Sequence, residues 1–219
     1  VSKEKRGIGI VFVVGFGLTG AGVAFFISRS FDDLRICYFI GGGLGFCLLR
    51  LRVSVFESGM YKQVKAMNIV RGNYLMFFNN GKRFRKYILS ILIGLPTWYV
   101  IGILIVFSNE FGKRFGIKEE IIPGKATMFA YIAISIADIL VGFVSQWLKS
   151  RKKALYIFYL MTIVMLVLYF TQSHTNGSTM YCIIAGLGFG TGFWAIFVTV
   201  AAEQFGTNLW ATAATAVPY

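Results

Sequence analysis

Charge is what this sequence has least of. Only 14% of its 219 residues are Asp, Glu, Lys or Arg, against roughly 25% in soluble domains. That is too little to coat a water-facing surface, which excludes an ordinary soluble fold. Proline is scarce as well, at three residues, which leaves long stretches free to run as helix. The three cysteines, Cys37, Cys47 and Cys182, lie in apolar runs with no CxxC pair. An odd, scattered set of this kind excludes a disulfide framework. The single histidine, His174, stands in the polar stretch TQSHTNGST, and a metal site needs several convergent ligands. The run GLGFG at 186–190 sits inside an apolar stretch with no strand before it, so it is not a dinucleotide fingerprint. The sequence therefore offers no catalytic residue, metal site or cofactor site.

What is abundant is hydrocarbon. Hydrophobic residues make up 57% of the chain, with 22 phenylalanines and a mean hydropathy of +0.69. A helix that crosses a bilayer needs about 20 mainly apolar residues. Six stretches meet or approach that length: 7–28, 36–52, 87–108, 126–148, 154–171 and 180–201. A seventh begins near Ala211. Backbone cannot go unpaired in lipid, so runs of this kind are helices. The expectation is an all-α, multi-pass integral membrane protein.

Basic residues set the orientation. Sixteen of the 22 Lys and Arg fall in 1–6, 50–86 and 149–153, and six fall in the intervening connections. The richer side reads as cytoplasmic, so the first span runs from inside to outside. The net charge of +13 is mostly this sidedness, and nothing supports a nucleic-acid partner. The chain starts at Val1 and stops as a new small-residue run begins, which suggests an internal piece of a longer protein with an even number of helices before it. In the longest connection, Phe56, Met60, Val64 and Met67 recur at helical spacing with Lys62 and Lys65 off that face. This fits an amphipathic helix on the membrane surface, or a solvated linker between two bundles.

Polar residues within the spans mark the candidate site. Tyr131, Ser135, Asp138, Gly142, Ser145 and Lys149 follow one another at spacings of 4, 3, 4, 3 and 4, which places them on one helix face. An acid at a helix centre costs about 2.5–3.5 kcal/mol on insertion scales, so it faces a cavity or a partner. Asp138 either lines a solute or ion pathway or pairs structurally with a neighbouring helix. Small residues recur on single faces: Gly15, Thr19 and Gly22; Gly41 and Gly45; and the overlapping pairs Gly186/Gly190 and Gly188/Gly192. Such spacings let helices approach closely. Pro96 interrupts the third span, as transporters do at binding sites. Trp98 beside it and Trp194 in the sixth span could each offer a solute a ring to stack on.

Three segments carry a resemblance. GFVSQWLKSRKK is similar to a loop signature of the form G-x-x-x-D-x-x-G-R-R, matched at Gly142, Ser145, Arg151 and Lys152, with Gln146 in place of Asp and Ser150 in place of Gly. RLRVSVFESGMYK is similar to R-x-P-E-S-P, retaining Glu57 and Ser58 with Phe56 at a Pro position. AAEQFGTNLWAT is similar to E-x-F-P-T-x-x-R-A-T, matched at Glu203, Phe205, Thr207, Ala211 and Thr212, with Gly206 for Pro and Trp210 for Arg. In order and sidedness the chain resembles helices five to ten of the major facilitator superfamily, in its sugar and metabolite symporter branches. The resemblance implies a twelve-helix transporter in a bacterial inner membrane. Residues 1–52 would be the last two helices of one bundle, 53–86 the cytoplasmic connection, and 87–219 the first four helices of the other bundle with the start of a fifth. It also implies a small organic solute (sugar, carboxylate or osmolyte) moved by alternating access with a coupling proton. Tyr131, Ser135, Asp138, Trp98 and Trp194 would line the path. Glu57, Gly142, Gln146, Arg151, Lys152 and Glu203 would form the cytoplasmic gate. A transporter-like receptor or a membrane-embedded enzyme on lipid-linked substrates is the alternative.

Overall fold

A computed structural model describes residues 17, 20–31, 33–53, 74–205 and 209–217. Among them there is no strand. The helices are α1 (Gly20–Ser30), α2 (Leu34–Val53), α3 (Gly81–Tyr99), α4 (Ser108–Arg114), α5 (Pro123–Trp147), α6 (Arg151–Thr171), α7 (Gly177–Thr191), α8 (Trp194–Glu203) and α9 (Trp210–Ala216). Four helical stretches are long and apolar enough to cross a membrane: Gly81–Ile105, Pro123–Trp147, Arg151–Thr171 and Gly177–Glu203. They coincide with the third to sixth spans expected from sequence, and they make this a multi-pass membrane protein. The proposed surface helix around Phe56–Met67 lies outside the described residues, as do Glu57, Gly15 and Thr19.

Local chemistry explains where the helices start and stop. The Asn80 side chain accepts from the Lys82 amide at 2.9 Å and opens α3, satisfying one of the amides a helix start leaves free. Pro123 sits in the first turn of α5, where its missing N–H costs nothing. At the other end of α5, Lys149 takes a left-handed conformation (φ 47°). The Lys149 amide then reaches the Gln146 carbonyl, and the Ser150 amide reaches that of Ser145, the closure expected of a left-handed cap. Ser150 then caps α6 through the Lys153 amide. The Gly-to-Ser departure noted in the sequence is thus a helix N-cap in the fold.

Two of the long helices are irregular. Pro96 cannot bond back to Leu92, and just beyond it α3 widens into a π-turn over Val100–Ile105, with the Val106 amide on the Ile101 carbonyl. In lipid, neighbouring side chains must serve carbonyls disturbed in this way. Two tyrosines of α6 do so: Tyr159 donates to the Ile93 carbonyl, and Tyr169 to that of Leu104 at 2.9 Å. The second break falls at Gly192–Phe193, between α7 and α8, where the sequence suggests one continuous span.

Helix α7 is the hub, packed most extensively on α5 and then on α6. Its two glycine pairs divide the work. A Cβ on Gly188 or Gly192 would strike α5, at the Ala130 carbonyl (2.5 Å) or the Ala137 methyl (2.2 Å). One on Gly186 or Gly190 would strike α6, at Met165 or Thr162. Gly41 and Gly45 of α2, by contrast, have nothing within 4 Å among the described residues.

The buried apolar residues form two clusters stacked along the helices. One holds Phe77, Tyr87, Phe205 and Val217, with Phe77 stacked on Tyr87 and set edge-on to Phe205. The other holds Ile117, Ile121, Tyr169 and Met180. The loops group accordingly. At the second end the His174 amide donates to the Phe115 carbonyl, and the Ile122 amide to the Tyr181 hydroxyl. At the first end Arg151 meets Glu203. The connections assigned to a common side by charge therefore share an end of the bundle. Large side chains such as Tyr156, Leu160, Ile163 and Val167 of α6 stay exposed, the surface a bilayer would cover.

Candidate functional site

Between the two apolar clusters lies a half-enclosed cavity of about 180 Å³. Its walls come from the irregular parts of the fold. Thr97, Trp98 and Ile101 stand where α3 passes from Pro96 into the π-turn. Thr191 and Trp194 flank the break between α7 and α8. Tyr131 and Ile134 of α5 close the remaining side. Each of these residues is near the middle of its long helix, so the cavity sits at mid-depth. Trp98 and Trp194 meet edge to face, with ring centroids 5.7 Å apart and planes at 85°, the geometry that aromatic quadrupoles favour.

The cavity's polarity is confined to neutral groups. Thr191 is fully buried, and its hydroxyl bonds back to the Leu187 and Gly188 carbonyls. Thr97 is also buried, and its Oγ1 has no hydrogen-bond partner among the described residues. A buried hydroxyl without a partner loses about 1–3 kcal/mol of hydration. No charged side chain lines the cavity.

Of the five residues expected on the pathway, Trp98, Trp194 and Tyr131 converge on this cavity, although they come from three separate helices. Ser135 and Asp138 do not line it. Ser135 is buried and bonds back to the Tyr131 carbonyl at 2.8 Å. Asp138 is fully buried, and its Oδ1 accepts from the Ala195 amide at 3.0 Å, with the Trp194 amide beside it. The acid of α5 therefore caps the first turn of α8, on the far side of the chain break. A carboxylate at a helix N-terminus answers both the free amides and the helix dipole. The structural-pairing reading of Asp138 thus has a named partner, and that partner is the helix carrying Trp194.

The gate residues fall at the first end of the bundle. Arg151 opens α6 and pairs with Glu203, the last residue of α8, at 2.5 Å with both side chains about half exposed. Gly142 is buried within α5, while Gln146 and Lys152 are exposed. Helix α8 thus spans from the cavity, through Trp194, to this ion pair. Sequence reasoning missed Thr97 and Thr191; their positions beside Pro96 and the GLGFG run were the available signals. Among the described residues no three His, Cys, Asp or Glu gather as a metal site would require. No family model, curated protein or solved structure matches the chain.

Proposed function

We propose that the protein is a secondary transporter of the major facilitator type that moves a small organic solute by alternating access, with a coupling proton. The observation that carries this reading is the mid-depth cavity walled by two interrupted helices. Transporters characteristically place their sites at the midplane between broken helices, because regular helix offers a solute no free backbone geometry and too few converging groups. The arrangement of α8 adds to it. One end carries Trp194 in the cavity wall, and the other carries Glu203 in a pair with Arg151. An exposed pair of this kind contributes only about 0–1 kcal/mol, so it can open and close at little cost, as a gate must. Lys152 stands beside it, and Glu57 would join from the preceding connection.

The test is uptake by the full-length protein in proteoliposomes, with and without an imposed pH gradient. Solute accumulation that collapses when the gradient is dissipated is the expected result. Saturable binding with no flux in either direction would reject transport in favour of a receptor built on the same scaffold. Chemical turnover of a lipid-linked substrate would reject it in favour of an enzyme.

A further inference from the structure

We infer that the cavity between Trp98, Thr97, Tyr131 and Trp194 binds an uncharged, polyhydroxylated ring of about monosaccharide size, and not a carboxylate or a quaternary ammonium compound. The inference deepens the transporter reading by naming the solute's chemistry, and it rests on that reading for its physiological meaning.

Size comes first. Enclosing one water takes about 10–15 Å³ of comparable space, so about 180 Å³ accommodates a solute of roughly a dozen non-hydrogen atoms. That is well below the ~300–1,000 Å³ of sites for drug-sized ligands.

Charge comes next. No cationic or anionic side chain lines the cavity. The nearest acid along α5, Asp138, is committed to the Ala195 amide. A solute carboxylate would lose its hydration with no counter-charge to replace it. A quaternary ammonium would find two indoles, but they meet edge to face and do not form the converging faces of an aromatic cage. Such a cation would also leave every polar group of the wall unanswered.

Those polar groups select a hydroxylated rim. The Thr97 hydroxyl is 3% exposed and unpartnered. Thr191 has spent its proton on its own helix and keeps lone pairs to accept. Tyr131 adds a phenol and Trp194 an indole N–H. Donors and acceptors around an apolar aromatic surface complement a ring whose face is C–H and whose edge is O–H.

Calorimetric titration of the purified full-length protein with D-glucose, myo-inositol, D-glucuronate and glycine betaine tests this directly. Glucose and glucuronate differ at one ring substituent, a hydroxymethyl against a carboxylate. At least one neutral ring is expected to bind, with glucuronate and betaine at least tenfold weaker. Thr97→Val should weaken the neutral ring about tenfold at an unchanged melting temperature, and Thr97→Ser should restore it. Equal or tighter binding of glucuronate or betaine would overturn the inference. So would failure of both neutral rings to bind, or a Thr97→Val protein with unaltered affinity. Uptake of a charged solute would refute the solute class while leaving transport standing. Binding of glucose without uptake of any solute would do the reverse.

Discussion

Replacing Gly188 with alanine puts a methyl group where α7 lies against the backbone of α5. The added carbon would stand 2.5 Å from the Ala130 carbonyl oxygen and 2.9 Å from its Cα, against ordinary contacts of 3.4–4 Å. These are main-chain atoms of a continuous helix, so relief requires the two helices to part by about 1 Å. Overpacking of this kind costs about 1–3 kcal/mol, and the rigid neighbour puts it at the upper end. Alanine's better helix propensity returns up to about 1 kcal/mol, which leaves a net loss of about 1–2 kcal/mol. For a chain of this length each kcal/mol moves the melting temperature by roughly 2–4 °C, so a fall of roughly 2–8 °C is expected in detergent micelles. Two controls fix the interpretation. Gly186→Ala meets only the Met165 thioether, 2.7 Å away at the end of a flexible side chain, and should cost less. Gly45→Ala meets nothing within 4 Å and should be neutral or stabilising. A Gly188→Ala protein that melts with the wild type, or a Gly45→Ala protein that falls as far as Gly188→Ala, would refute the reasoning.

Other perturbations reach the remaining parts of the molecule. Asp138→Ala leaves the Ala195 amide unpaired in a buried helix start, so a loss of about 1–3 kcal/mol should appear as a lowered melting temperature; Asp138→Asn keeps an acceptor and should lose less, and equal losses would reject the cap. Glu203→Gln removes an exposed pair and should change stability by under about 1 kcal/mol while altering uptake; the charge-swapped protein Arg151→Glu with Glu203→Arg should recover uptake if the pair is a gate. Tyr169→Phe deletes the bond to Leu104 beside the π-turn, and a loss of about 1 kcal/mol should show in thermal melting. For sidedness, an impermeant thiol reagent applied to intact cells should label Ser173→Cys and spare Lys152→Cys in a background without the native cysteines; the opposite pattern would invert the orientation.

The sequence by itself was enough for the class of molecule, because composition and run length are sums over neighbouring residues and need no partner. Low charge and long apolar runs already implied membrane helices, and four of them stand where the runs placed them. Periodicity also located faces that differ from the rest of their helix: the stripe through Asp138, the paired glycines and the aromatic residues near Pro96. What periodicity cannot report is the identity of whatever lies opposite. Only the tertiary structure could assign Gly188 and Gly192 to α5 and Gly186 and Gly190 to α6, since the two pairs are equivalent as spacings. Only it could turn Asp138 toward an amide 57 residues away instead of into the cavity. The break at Gly192–Phe193 is silent in hydropathy, because both halves are equally apolar; it exists because a carboxylate on another helix can satisfy the amides it exposes. Trp98, Tyr131 and Trp194 were individually legible as candidates, but their meeting around one cavity, with the unpartnered Thr97 between them, is a product of three helices crossing.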